Sequence, residues 1–264
     1  MKRTKTEVIL RLLMTTLIVF SISYVGFCQD STRIDNQYAI DSTILKSVYK
    51  RRLQPYILSG SLIAAGSITY AIKPFRELDY GIRHTINDLP KSRLEIDDYT
   101  QFVPAAMVYG LNLVGLKGKH GFWDRTGLLA SSQMITAAFV LPSKRIIGRT
   151  RPDYSDNYSF PSGHAAVAFT SAHFLFKEYR DTNFWLSVSG YPIAIFTSVF
   201  RVVESRHWVS DIVTGAGIGI LSTELAYLLY PKAIKLIGKK QKHRAFFSPS
   251  IGSKTVGFTF SKQF

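Results

Sequence analysis

The sequence is almost without cysteine. Its single thiol, Cys28, rules out an intrachain disulfide and a cysteine metal cage, and redox chemistry is effectively excluded. Acidic residues are also scarce, with 18 Asp and Glu against 33 Lys and Arg, for a net charge of +15. Such an excess calls for anionic partners: nucleic acid, an anionic lipid surface or a phosphorylated substrate. Nucleic acid fits poorly, because the basic residues punctuate apolar segments or gather between Lys232 and Arg244 instead of striping a compact polar domain. Charge of either sign is sparse at 19% of residues, while 46% are hydrophobic and 13% aromatic. That is apolar for a soluble protein, yet short of a chain made mainly of spanning helices. No low-complexity linker interrupts the chain, so one domain is expected.

Lys2, Arg3, Lys5 and Arg11 precede an apolar run from Leu12 to Phe27, after which Gln29, Asp30, Ser31 and Thr32 restore polarity. Residues 1–28 therefore read as a secretory signal peptide or an uncleaved anchor, and either points to the cell envelope. A lipoprotein reading of Cys28 is opposed by bulky Phe27 just before it. Residues 29–55 form a polar lead-in, where Ile40, Ile44, Leu45 and Val48 keep the spacing of a short amphipathic helix.

The expected core spans residues 56–236 and contains apolar stretches at Tyr56–Ile72, Phe102–Leu116, Thr126–Pro142, His164–Phe176, Phe184–Val203 and Ile212–Tyr230. Each mixes Gly, Ala and Ser with Leu, Ile and Phe, which lets helices approach closely. Several are shorter than the roughly 20 apolar residues an upright crossing needs, and the sixth carries Glu224 in its middle. Membrane-embedded and soluble bundles both remain open on this pattern. The tail, residues 237–264, turns basic and β-like: Pro249, Gly252 and Ser253 break two β-prone runs, which suggests a small hairpin.

Polar residues with chemical capacity cluster between these stretches. Lys144 and Arg151 are seven residues apart, nearly two helical turns, so both cations are expected on one helix face that Pro152 then ends. Arg149 faces elsewhere on this reading. Next come Pro161, Ser162, Gly163 and His164, directly ahead of an apolar stretch. Ser162 suits a helix N-cap, free amides at a helix start favour phosphate, and His164 could deliver a proton beside it. Finally Arg201, His207 and Asp211 precede the sixth stretch. His207 and Asp211 are four apart, so on a helix their side chains meet; the carboxylate would fix one ring nitrogen and free the other to attack. The same pair could ligate zinc, although no further His, Cys or acidic cluster accompanies it in sequence.

Taken in order, Lys144-x6-Arg151-Pro152, Pro161-Ser162-Gly163-His164 and Arg201-x5-His207-x3-Asp211 resemble the three-part signature of the type 2 phosphatidic acid phosphatase and vanadium haloperoxidase superfamily. The resemblance covers about residues 56–230 and implies an all-α six-helix bundle, embedded in or associated with a membrane. It also implies phosphate ester hydrolysis with no metal or other cofactor. Lys144, Arg151 and Arg201 would hold the phosphate oxygens with Ser162 and the Gly163 amide. His207 would form a phosphohistidine, Asp211 would orient it, and His164 would protonate the leaving group and then activate water. One departure stands out: the family usually has serine before the third-motif arginine, where this chain has Phe200.

The apolar helices and cationic surface point to a phosphorylated lipid as substrate, with lipid A phosphate, phosphatidic acid, phosphatidylglycerol phosphate and undecaprenyl diphosphate as candidates. A soluble periplasmic acid phosphatase, a vanadate-dependent haloperoxidase and a noncatalytic anionic-lipid binder are the competing readings. Lys117, Lys119 and Arg125, then Lys177 and Arg180, then the basic tail all fall at one end of six crossings, which would place the motifs on the periplasmic side of an inner membrane. A cleaved signal would reverse that parity, so the number of spans stays undecided. Asp97, Asp98 and Tyr99 could touch a headgroup, with surface helix capping as their plainer role.

Overall fold

The structure, a computed structural model, describes residues 40–86, 95–240, 245–251 and 256–262. The signal or anchor reading of residues 1–28 lies outside these. The elements are α1 (Ile40–Ala71), α2 (Lys73–Ile86), α3 (Ile96–Thr100), α4 (Val103–Leu113), α5 (Phe122–Ile147), α6 (Gly163–Tyr179), α7 (Phe184–Val188), α8 (Gly190–Val203) and α9 (Val209–Lys240). A hairpin of β1 (Ala245–Ile251) and β2 (Val256–Lys262) follows, antiparallel with Ala245 opposite Lys262 and Ile251 opposite Val256.

The apolar stretches correspond to α1, α4, α5, α6, the α7–α8 pair and α9, so the expected all-α bundle is what forms. The lead-in from Ile40 runs straight into α1 and makes no separate helix. Local chemistry sets the ends. Pro104 opens α4, where its missing N–H costs nothing, and Asn183 caps α7 by accepting from the Leu186 amide at 3.0 Å. Gly148 closes α5 in the left-handed region at φ 59°, four residues before Pro152. The expected helix through Lys144 and Arg151 therefore stops early, and these two cations do not share a helix face.

At the centre lies α6, whose Ala165, Ala166, Ala168, Ala172, Phe174 and Leu175 are fully shielded. Helix α9 is wedged between α6 and α1 through glycines on its two sides. A Cβ on Gly219 would lie 2.4 Å from the Ala166 carbonyl oxygen, and one on Gly217 would lie 2.7 Å from that of Ser59. Backbone meets backbone there, as small-residue seams permit. Glu224, the odd charge within α9, is neutralised inside the bundle: Lys177 Nζ donates to both its oxygens at 3.0 and 2.9 Å, and His173 Nε2 lies 2.8 Å from one of them. A buried carboxylate without such partners would be strongly destabilising.

Among the described residues, two helical segments, Phe184–Val203 and Val209–Leu236, are long and apolar enough to cross a membrane, and a third crossing arises if the pair Leu53–Ala71 and Lys73–Ile86, bent by 89°, counts as one.

Candidate active site

The three motifs converge at one end of the bundle. Lys144, Arg151, Gly163, His164, Arg201 and His207 all line a single cavity of about 320 Å³, whose walls continue along α5 and α6 through Gln133, Thr136, Ala137, Val140, Leu141 and Val167. Lys144 projects from the last turn of α5, while Arg151 arrives on the loop beyond Gly148. That loop is pinned to the third motif: the Trp208 indole donates to the Thr150 carbonyl at 2.9 Å and the Asp153 amide to that of Ser205 at 3.1 Å. Ser162 does cap α6, accepting from the Ala165 amide at 3.4 Å. It is fully buried and does not line the cavity, unlike Gly163 beside it.

The Arg201 carbonyl accepts from the amides of Arg206 and His207 at 3.0 and 3.2 Å, and this tight turn lets both Arg201 and His207 reach the cavity. His207 is only 2% exposed. Its Nδ1 lies 3.5 Å from Asp211 Oδ2, an ion-pair distance that is long for a hydrogen bond. His207 precedes α9, so the two meet for a different reason from a shared helix. Asp211, in the first turn of α9, reaches back to accept from the Trp208 amide at 2.9 Å, the acidic half of a capping box.

Asp211 is locked from every side. Its Oδ2 also accepts from the Ser159 hydroxyl, and its Oδ1 accepts from Arg149 Nη1 at 2.7 Å. Arg149 is buried, and its other nitrogen bonds Asp79 Oδ2 on α2 at 2.9 Å, while Nη1 also reaches Ser210 Oγ at 2.6 Å. The guanidinium lies over the rings of Tyr70 and Trp208, 4.8 and 5.0 Å from their centroids. Sequence spacing correctly turned Arg149 away from the cavity but missed this anchoring position. Asp79, Ser159 and Ser210 were missed as well.

Helix α3 supplies two further residues that motif reading placed at the surface. Asp97, 2% exposed, pairs with Arg201, and Asp98 Oδ1 lies 2.5 Å from His164 Nε2. Arg201 thus has an acidic partner from another helix, where Phe200 replaces the serine usual before it. Asp97, Asp98 and His164 place their ligand-type atoms within 4.8 Å of one another, but the guanidinium already on Asp97 opposes a cation there.

Electrostatics follow from burial and crowding. His207 is pushed down to about 4, first by burial and then by the charges of Lys144 and Arg201, against the pull of Asp211. Lys144 is lowered to about 8, again mainly by burial, with Arg151 adding repulsion. His164 is lowered by burial and Arg201, while Asp98 and Asp97 oppose that shift. The Nε of Arg201 is buried without a hydrogen-bond partner. Together these make a cationic cavity with a neutral, backed imidazole, which suits binding an anion and attacking its central atom.

Residues 125–235 match the PAP2 superfamily model. The lipid A 1-phosphatase of Porphyromonas gingivalis is 36% identical over 176 residues, covering 63% of this chain and 36% of that protein. The Helicobacter pylori lipid A 1-phosphatase is 27% identical over 145 residues, 49% of this chain and 68% of its own. The chain therefore spans only 36% of the length of its Porphyromonas relative. Among solved structures, Aquifex aeolicus LpxE is 20% identical, covering 57% of this chain and 95% of its own, with a TM-score of 0.44. A PAP2 type phosphatidylglycerolphosphate phosphatase from Bacillus subtilis is 22% identical, covering 69% and 97%, with a TM-score of 0.48. All three motifs lie inside the residues that match the PAP2 superfamily.

Proposed function

We propose that this protein is a metal-independent phosphatase that hydrolyses a membrane lipid phosphate through a phosphohistidine. The observation that carries the reading is His207: buried, backed by a fully engaged Asp211, and facing the same cavity as Lys144, Arg151 and Arg201. With Nδ1 turned to Asp211, Nε2 attacks phosphorus. The bond from phosphorus to the leaving oxygen breaks, and His164 gives that oxygen a proton. Water then attacks the phosphohistidine, returning a proton to His164 and releasing phosphate with neutral His207. The three cations stabilise the charge on the equatorial oxygens, the dominant contribution in phosphoryl transfer. The Gly163 amide adds to them at the start of α6.

The apolar cavity walls, the candidate spans and the names of the relatives favour a lipid, and lipid A carrying a 1-phosphate is the substrate we put first. The opposite end of the bundle supports one orientation. There Trp123 and Trp185 are 81% and 80% exposed, with Lys117 and Lys119 close in sequence, the combination of an aromatic belt and cytoplasmic basic loops. The motifs at the start of α6 would then face the periplasm.

Phosphate release from detergent-solubilised lipid A, phosphatidic acid, phosphatidylglycerol phosphate and undecaprenyl diphosphate tests this directly. Release is expected from lipid A first, surviving a chelator and vanishing in His207→Ala. Release that persists in His207→Ala would end the phosphohistidine reading, and chelator sensitivity would end the metal-free one.

A further inference from the structure

We infer that Asp98 is a positioning residue for His164, which makes the site a pair of carboxylate–imidazole couples, one for the nucleophile and one for the proton donor. The inference rests on the reading of His164 as acid and base. Asp98 Oδ1 stands 2.5 Å from His164 Nε2, closer than Asp211 stands to His207. It comes from α3, outside all three motifs, so none of them announces it.

Asp97 is committed elsewhere, to Arg201, and lies 3.9 Å from His164 Nε2. The two consecutive acids therefore divide the labour, with Asp97 on a phosphate-holding cation and Asp98 on the proton donor. Around His164 the other charged or titratable cavity groups are Arg201 from α8, Lys144 from α5, Arg151 from the loop after α5, and His207 ahead of α9. Four of the six groups around it are cationic or can become so, and they disfavour an imidazolium. Only Asp97 and Asp98 oppose them, and Asp97 is already neutralised by Arg201. An acid that must hold its proton while a dianionic substrate reacts needs a carboxylate of its own, and Asp98 is the one in contact. It also fixes the ring. With Nε2 on Asp98, Nδ1 is the nitrogen left for the leaving oxygen, and the proton it gives up is restored from water in the second step.

The test is the pH dependence of kcat in Asp98→Asn, Asp98→Glu and His164→Ala, each alone, and Asp98→Asn combined with His164→Ala, using the full chain in detergent. Losing the charge lowers the proton affinity of His164, so the basic limb of the Asp98→Asn profile should move down by about one to two pH units, with kcat falling about tenfold or more and KM changing little. Asp98→Glu should restore part of the rate. In the His164→Ala background Asp98→Asn should add less than about a twofold loss, as expected when one residue acts only through the other. A wild-type profile in Asp98→Asn, or a full further loss on top of His164→Ala, would overturn the inference while leaving His207 chemistry intact. Full activity in His164→Ala would instead overturn the underlying assignment of the acid.

Discussion

Replacing Arg149 by lysine asks whether Asp211 needs a forked cation or only a positive charge. The guanidinium serves Asp211 at 2.7 Å, Asp79 at 2.9 Å and Ser210 at 2.6 Å from a plane held over Tyr70 and Trp208. A lysine ammonium is one point on a flexible stem and cannot reproduce that fork. One carboxylate, either Asp79 at 2% exposure or Asp211 at 0%, loses its charged donor. The loss is worth about 1.5–3 kcal/mol, and removing the stacked plane adds about 0.5–1 kcal/mol. Arg149→Met leaves both carboxylates buried and unpaired, at a cost of about 3–5 kcal/mol. Denaturant unfolding in detergent measures the stability change, and phosphate release measures kcat, which should fall because Asp211 is freed to rotate away from His207. Adding Asp79→Asn to Arg149→Lys should recover part of the stability, since one ammonium would then face one carboxylate. Wild-type stability and kcat in Arg149→Lys would refute the anchoring role.

The acid limb of kcat/KM should fall near pH 4 and not near 6.5, because His207 stays neutral until about 4. Its folded value is depressed, so between about 6.5 and 4 the unfolded chain binds a proton the folded chain refuses, and stability falls as pH drops through that window; an acid limb at 6.5 would contradict the burial argument. In the seam between α9 and α6, Gly219→Ala should cost about 1–3 kcal/mol in unfolding experiments, since its Cβ would sit 2.4 Å from a carbonyl oxygen. Gly60→Ala, with open space around it in α1, should instead stabilise by about 0.5–1 kcal/mol, and similar effects at both sites would show that the seam is looser than described.

The convergence of the motif residues was legible because the proposed phosphate chemistry needs particular side chains at short spacings, and the core helices because apolar stretches announce themselves. Residues reaching the site from α2 and α3 were not. Helix α2 buries Asp79, Ile86 and part of Arg83 while Phe75 and Leu78 are 47% and 59% exposed, the reverse of the pattern that marks a buried face in water. Such an inversion makes sense where the outer surroundings are lipid, and it hides a buried carboxylate in a sequence that reads as polar. Asp97 and Asp98 sit in a five-residue helix too short for periodicity to show. The anchoring position of Arg149 was missed for a related reason: an assumed continuous helix to Pro152 set the faces, whereas Gly148 had already turned the chain. The cap at Ser162, by contrast, needed only local rules.

The glycine seam has a bearing on where this protein can be retuned. A Cβ on Gly215 would stand 2.6 Å from the Ser162 carbonyl oxygen, and the Ser162 amide donates to the Asp211 carbonyl at 3.1 Å, so the chain segments carrying His164 and His207 are joined peptide to peptide. Their separation is a property of the main chain, with no side chain between to be exchanged. A tilt of α6 and α9 as one block would leave the gap between His164 and His207 unaltered. Variation in the rest of the proposed substrate would fall instead to the α5 wall and to α3, where side chains define the space.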